Sequence, residues 1–177
     1  MNIICISGKA QHGKDTTANI LCGYLKHLQK RAIVVHYADL LKYMCKTFFG
    51  WNGEKDEQGR KLLQYVGTDV VRALKPDFWC DFIIKVLKLF PDEWDYVIIA
   101  DCRFPNEINA LRVAGYKPLH LRVARPNFIS PLTPEQQKHP SETALDEYPI
   151  DYFIHNDGTE YELEDKIKAF AWEVFGI

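Results

Sequence analysis

Gly8 opens and Gly13-Lys14 closes a short loop in the stretch N-I-I-C-I-S-G-K-A-Q-H-G-K-D-T-T, residues 2–17. An apolar run (Ile3, Ile4, Cys5, Ile6) precedes the loop and a helical pattern follows it. That order of strand, glycine-framed loop with lysine, and helix is the phosphate-cradling P-loop. Its glycines let backbone N–H groups turn onto phosphate oxygens, and the helix start adds the positive end of its dipole. This loop is therefore expected to bind the phosphates of a nucleotide triphosphate. Lys14 is expected to reach the terminal ones. Asp15 stands where such loops usually carry Ser or Thr. A carboxylate beside a triphosphate is repelled unless a cation lies between them, so Asp15 is read as facing Mg2+ or the acceptor. Thr16 then supplies a hydroxyl to phosphate or metal.

Further groups could complete a phosphoryl-transfer site. Asp101 closes an apolar run, the position of a Walker B carboxylate that holds Mg2+ directly or through water; the alternative is a cap for the helix after Pro105. Transfer needs positive charge around the moving oxygens, and Lys9, Arg72, Arg103, Arg122 and Arg125 are candidates. Arg122 and Arg125 flank a proline-rich stretch that could close as a lid. Asp39 follows the second strand, with Lys42 one turn on, and reads as an acceptor contact or a plain helix cap. Trp79 reads as core or as a base-stacking aromatic, a role also open to Tyr37. His36 and His139 are isolated and are assigned to no metal. Glu142 adjoins the lid.

These groups need elements to place them. Ala18, Leu21, Leu25 and Leu28 draw one stripe on a helix over 14–31, and 32–37 reads as a second strand. A helix starts near Asp39 and ends near Gly50. Another runs from Arg60, interrupted at Gly67-Thr68, and a third carries Trp79 to Phe90 before Pro91. Residues 96–100 and 118–123 read as strands around a helix framed by Pro105 and Gly115. Five of the nine prolines fall in 126–149, a long stretch with little period that suggests a lid or disorder. A short strand over 151–154 precedes a last helix, opened by a Thr159/Glu162 capping box. Alternating strands and helices imply an α/β protein, with a mostly parallel five-stranded sheet covered by helices on both faces. Ligands then bind beyond the carboxyl ends of the strands.

At 177 residues the chain reads as one domain, 1–177. Its net charge of −2 gives no global field toward a nucleic acid polymer or an anionic membrane. The five cysteines form no C-x-x-C pair and read as reduced, buried thiols. With no signal peptide or membrane-length apolar run, the expected compartment is the cytoplasm. The stripe over 79–90 leaves open whether it is core or a homodimer face.

G-K-A-Q-H-G-K-D-T-T at 8–17, Y-A-D-L-L-K at 37–42, L-L-Q-Y-V-G-T-D-V-V-R at 62–72 and A-D-C-R-F-P-N-E at 100–107 resemble the phage-type deoxynucleoside monophosphate kinases. H-P-S-E at 139–142 and H-N-D-G-T at 155–159 continue the likeness. The resemblance implies a three-layer P-loop kinase fold, with ATP and Mg2+ as cofactors and a deoxynucleoside monophosphate as acceptor. It implies catalytic roles for Lys14, Asp15, Arg122 and Arg125. ATP would be held by residues 8–17, with Asn156 and Asp157 against the donor base. Tyr37, Asp39, Lys42, Gln64, Arg72, Trp79, Arg103, Glu107 and Glu142 would face the acceptor, and Asp15, Thr16 and Asp101 the metal. An acceptor-binding helical region would span about 38–91 and a lid about 122–142. If the chain is phage-encoded, the compartment is the host cytoplasm. The alternatives are a kinase for another small phosphorylated acceptor, such as a phosphomevalonate-like one, and a P-loop ATP-binding protein without transfer activity.

Overall fold

Five strands lie side by side and parallel in a computed structural model that describes residues 1–177. They are β1 (Asn2–Ser7), β2 (Ala32–Val35), β3 (Tyr96–Cys102), β4 (Pro118–Ala124) and β5 (Tyr152–His155), in the spatial order β2-β3-β1-β4-β5. The central strand, β1, runs beside β3 on one edge and β4 on the other. Its carboxyl end is thus the point from which neighbouring connections diverge, where open α/β sheets bind ligands.

Successive side chains of a strand point to opposite faces, and β1 is apolar on both. Ile4 and Ile6 pack with α1 (Lys14–His27) and α8 (Glu160–Phe175), through Leu21, Leu25, Ile167 and Phe170. Ile3 and Cys5 pack with the opposite layer, which holds α2 (Ala38–Phe49), α4 (Phe78–Leu89) and α5 (Pro105–Val113). The result is three layers. Burying one such side chain contributes about 1.5–3 kcal/mol, so both layers hold β1, and with it the loop that follows, firmly in place. All five cysteines are buried and unpaired. No helix is long and apolar enough to cross a membrane.

The expected elements are present, with shifts. The first helix ends at His27, where Leu28 leaves helical geometry and Gln29 has φ +62°. The second strand stops at Val35, because the backbone amide of Tyr37 turns to the carboxylate of Asp101. The helix expected from Arg60 starts earlier, as α3 (Glu57–Gln64), with Asp56 accepting from the Gly59 amide. The interruption at Gly67-Thr68 is a π-helix over Tyr65–Arg72. Within the proline-rich stretch lie two short helices, α6 (Pro134–Lys138) and α7 (Pro140–Thr143). Arg122 belongs to β4, which runs to Ala124. The irregular segment starts at Arg125.

Candidate active site

The loop after β1 has the backbone of a phosphate cradle. Gly8 sits at φ +148° and Gly13 at φ +95°, conformations that L side chains rarely adopt. A Cβ at Gly8 would strike the Val123 carbonyl oxygen, and one at Gly13 would strike the Asn156 side chain. Lys14 opens α1 and is buried; its Nζ donates to the Gly8 and Lys9 carbonyls, both at 2.8 Å. Burial, and then the charge of Arg103, push its ammonium down to about 8.

Lys14 opens into a cavity of about 380 Å³ at the carboxyl edge of the sheet. Asp15, Lys42, Gln64, Arg72, Asp101 and Arg103 line the same cavity. Residues from five separate stretches of sequence thus converge on one chamber. Its far wall is Leu41, Leu63, Gly67, Trp79 and Phe104. The guanidinium of Arg72 lies 4.0 Å from the Phe104 ring centre, and its Nε–H is buried without a partner.

Several expected contacts have other employment. Trp79 is buried with its indole N–H on the Gly67 carbonyl at 3.1 Å, and Tyr37 is buried with its hydroxyl on the Glu107 carbonyl at 2.8 Å. Both rings edge the cavity. Glu107 edges the same cavity. It is buried beneath the site, where one oxygen pairs with Arg72 at 2.6 Å and the other accepts from the Arg103 and Phe104 amides. Burial pushes Glu107 up to about 7, against the opposing pull of Arg72. Asp101 accepts from the Tyr37 and Ala38 amides at 2.8 and 3.0 Å. It satisfies the orphan donors at the start of α2, rather than those of the helix after Pro105.

The segment 139–148 straps onto the loop. Glu142 accepts from the Ala10 amide at 2.9 Å and pairs with Arg103, so it joins the phosphate loop to the cavity. Lys9 leaves the loop interior to bond Asp146 at 2.6 Å and the Glu142 carbonyl. Arg122 pairs with Asp146 at 2.8 Å. Arg125 lies outside the cavity, with its guanidinium 4.8 Å from the Phe128 ring centre. Its amide donates to His12 Nδ1, and burial with the nearby Lys14 lowers the His12 pKa. Asn156 donates to the His12 carbonyl at 3.1 Å and backs the loop, whereas Asp157 pairs with Lys166 on α8. Thr16 is exposed, and Thr17 is buried with its hydroxyl unpartnered. Asp39 pairs with Lys42 at 3.0 Å just beyond the cavity lining.

Sequence reasoning missed three features. Asp146, which gathers Lys9 and Arg122, has no neighbouring motif to mark it. His36 joins Asp15 at 3.0 Å and Asp39 at 3.3 Å. This hydrogen bond to Asp15 raises the His36 pKa and lowers that of Asp15. His120, fully buried, ties β1 to the end of the strap: its Nδ1–H donates to the Pro149 carbonyl and its Nε2 accepts from the Ser7 hydroxyl, each at 2.7 Å. The only sequence signal was polarity inside an apolar run.

Comparison with known proteins agrees with this geometry. The family model described as deoxynucleotide monophosphate kinase matches residues 24–167. An uncharacterized protein of Ictalurid herpesvirus 1 is 32% identical over 169 residues, covering 94% of this chain and 69% of its own. The deoxynucleotide monophosphate kinase of Enterobacteria phage T4 is 34% identical over 111 residues, covering 62% of this chain. This chain spans only 43% of that phage protein's length. Among solved structures, a Mycobacterium tuberculosis APS kinase in complex with AMPPNP and APS superimposes with a TM-score of 0.52 at 10% identity, covering 95% of each chain. That likeness shows the fold, a P-loop kinase one, as the resemblance implied. With the family model matching most of its length, the chain belongs to the deoxynucleotide monophosphate kinase family.

Proposed function

We propose that the chain transfers the terminal phosphoryl group of ATP to the phosphate of a deoxynucleoside monophosphate. The observation that carries this reading is the shared cavity: Lys14 from the phosphate loop, and Arg72 and Arg103 from the acceptor side, line one chamber of about 380 Å³. That volume lies within the range of small-ligand sites. In the reaction an oxygen of the acceptor phosphate forms a bond to the γ-phosphorus. The bond from that phosphorus to the β–γ bridging oxygen breaks, and ADP leaves. The loop amides and Lys14 hold the donor phosphates, and Arg103 and Arg72 bring positive charge to the acceptor and the moving group.

Mg2+ suits the oxygen donors present. Asp15 has one carboxylate oxygen outside its bond to His36, and Asp101 lines the same cavity. No cluster of three or more His, Cys, Asp or Glu side chains could hold a metal unaided, which accords with an ion that takes one or two carboxylates and completes its shell with phosphate oxygens and water. Asp15, with Thr16 and Asp101, would hold it, and when bound it neutralises charge on the phosphates.

The acceptor seat is built by α2, α3, the π-helix and α4, and the segment 125–149 is the lid. A coupled assay of ADP release with each deoxynucleoside monophosphate tests the function. Stimulation by one or a few of them is expected. ADP release indifferent to every monophosphate would leave a non-transferring ATP-binding protein.

A further inference from the structure

Two acidic side chains from different elements meet on one imidazole. Asp15 is the second residue of α1 and Asp39 the second residue of α2. His36, in the link between β2 and α2, reaches Asp15 through Nε2 at 3.0 Å and Asp39 through Nδ1 at 3.3 Å. A carboxylate only accepts, so both ring nitrogens donate. The imidazole is also the most enclosed of the three side chains, 24% exposed against 66% for Asp15 and 57% for Asp39.

The helix α2 does not need this ring for its own stability. The first amides of α2 are already satisfied by Asp101, and Asp39 already has a cation in Lys42. What His36 adds is a fixed relation between the phosphate loop and the acceptor helix. Resting on the kinase reading above, we propose that His36 is a positioning residue for phosphoryl transfer, which holds the donor-side carboxylate of Asp15 and the acceptor-side carboxylate of Asp39 in one mutual placement. Reactants in near-attack geometry tolerate little displacement, so a link between the two seats acts on the acceptor step rather than on ATP binding alone.

Two conservative variants separate this role from a simple hydrogen bond. In His36→Asn the amide nitrogen takes the place of Nδ1 and reaches Asp39 only. In His36→Gln it takes the place of Nε2 and reaches Asp15 only. Each, like His36→Ala, is expected to lower kcat/KM for the acceptor by about tenfold to a hundredfold. KM for ATP should stay within about twofold of wild type, with the thermal melt unchanged. Full rescue by either one-armed variant would overturn the proposal, as would equal losses for ATP and acceptor. Should the alanine variant fail to fold, the Asn and Gln variants carry the test. An active wild type with indifferent variants refutes the positioning role alone. A wild type that transfers to no monophosphate refutes the kinase reading, and this inference with it.

Discussion

Lys14 is the residue on which the phosphate site turns, and its present bonds show why. Its ammonium donates to the carbonyls of its own loop, Gly8 and Lys9. Lys14→Ala should lower kcat by roughly a hundredfold to a thousandfold, the scale of one lost charge-stabilising donor. The circular dichroism spectrum should stay that of wild type. Glu107 gives a second prediction at this scale. Its folded pKa, about 7, lies above its ordinary 4.5 because burial disfavours the charged form. The folded state therefore binds the proton more tightly than the unfolded one, so Glu107's contribution to stability is fully present below about pH 4.5 and is lost as pH rises through about 7. Glu107→Gln stays neutral at every pH, so the melting temperatures should be closest near the acid end of that window, with wild type losing ground to the variant as pH rises through about 7. A wild type that gains on the variant with rising pH would be contrary to this. The loop residues were legible in the sequence because phosphate binding needs a local pattern. The hydrogen-bond partners of Glu107, Tyr37 and Trp79 were not legible there, since they lie far along the chain.

The π-helix over Tyr65–Arg72 lines the cavity proposed to seat the acceptor. Sequence showed only that a helical stripe falters at Gly67-Thr68. In the structure Gly67 presents its carbonyl to Trp79, and its missing side chain leaves room for Leu41. A Cβ there would lie 2.6 Å from Leu41 Cδ2. Gly67→Ala is expected to push Leu41 toward the cavity and raise KM for the acceptor several-fold, with KM for ATP unchanged; steady-state kinetics in both substrates checks this. The strap over 139–148 makes a different claim. Asp146 holds Lys9 and Arg122 through ion pairs that are about one-third exposed on the acidic side, so each contributes little alone. Together they fasten one short segment to the loop. Asp146→Ala should speed hydrogen exchange of the amides in 140–146 while those of β1 keep their protection. Unchanged exchange in 140–146 would mean that Glu142 and Arg103 suffice. This fastening was not legible beforehand, because residues 126–149 carry no period and the two partners of Asp146 lie 24 and 137 positions away, at Arg122 and Lys9.

Across the whole molecule, the parallel sheet converts a one-dimensional order into a shared edge. The alternation of apolar runs and amphipathic stripes was enough to expect five strands with helices on both faces, and the order β2-β3-β1-β4-β5 sets the phosphate loop at the centre. Strand order itself was not legible, since it depends on which long-range pairings bury both faces of β1. Membership in the deoxynucleotide monophosphate kinase family was legible through short motifs in their expected order, and the family match over 24–167 bears it out. The central claim is that one chamber joins donor and acceptor for direct transfer. It is tested most directly by incubating the protein with Mg2+, ATP labelled at the γ-phosphate and a deoxynucleoside monophosphate, then separating the nucleotides. The account predicts label in the deoxynucleoside diphosphate in step with ADP formed, at a rate roughly a hundredfold to a thousandfold lower with Lys14→Ala. Label recovered only as free phosphate, or retained in ATP with every acceptor, would contradict it.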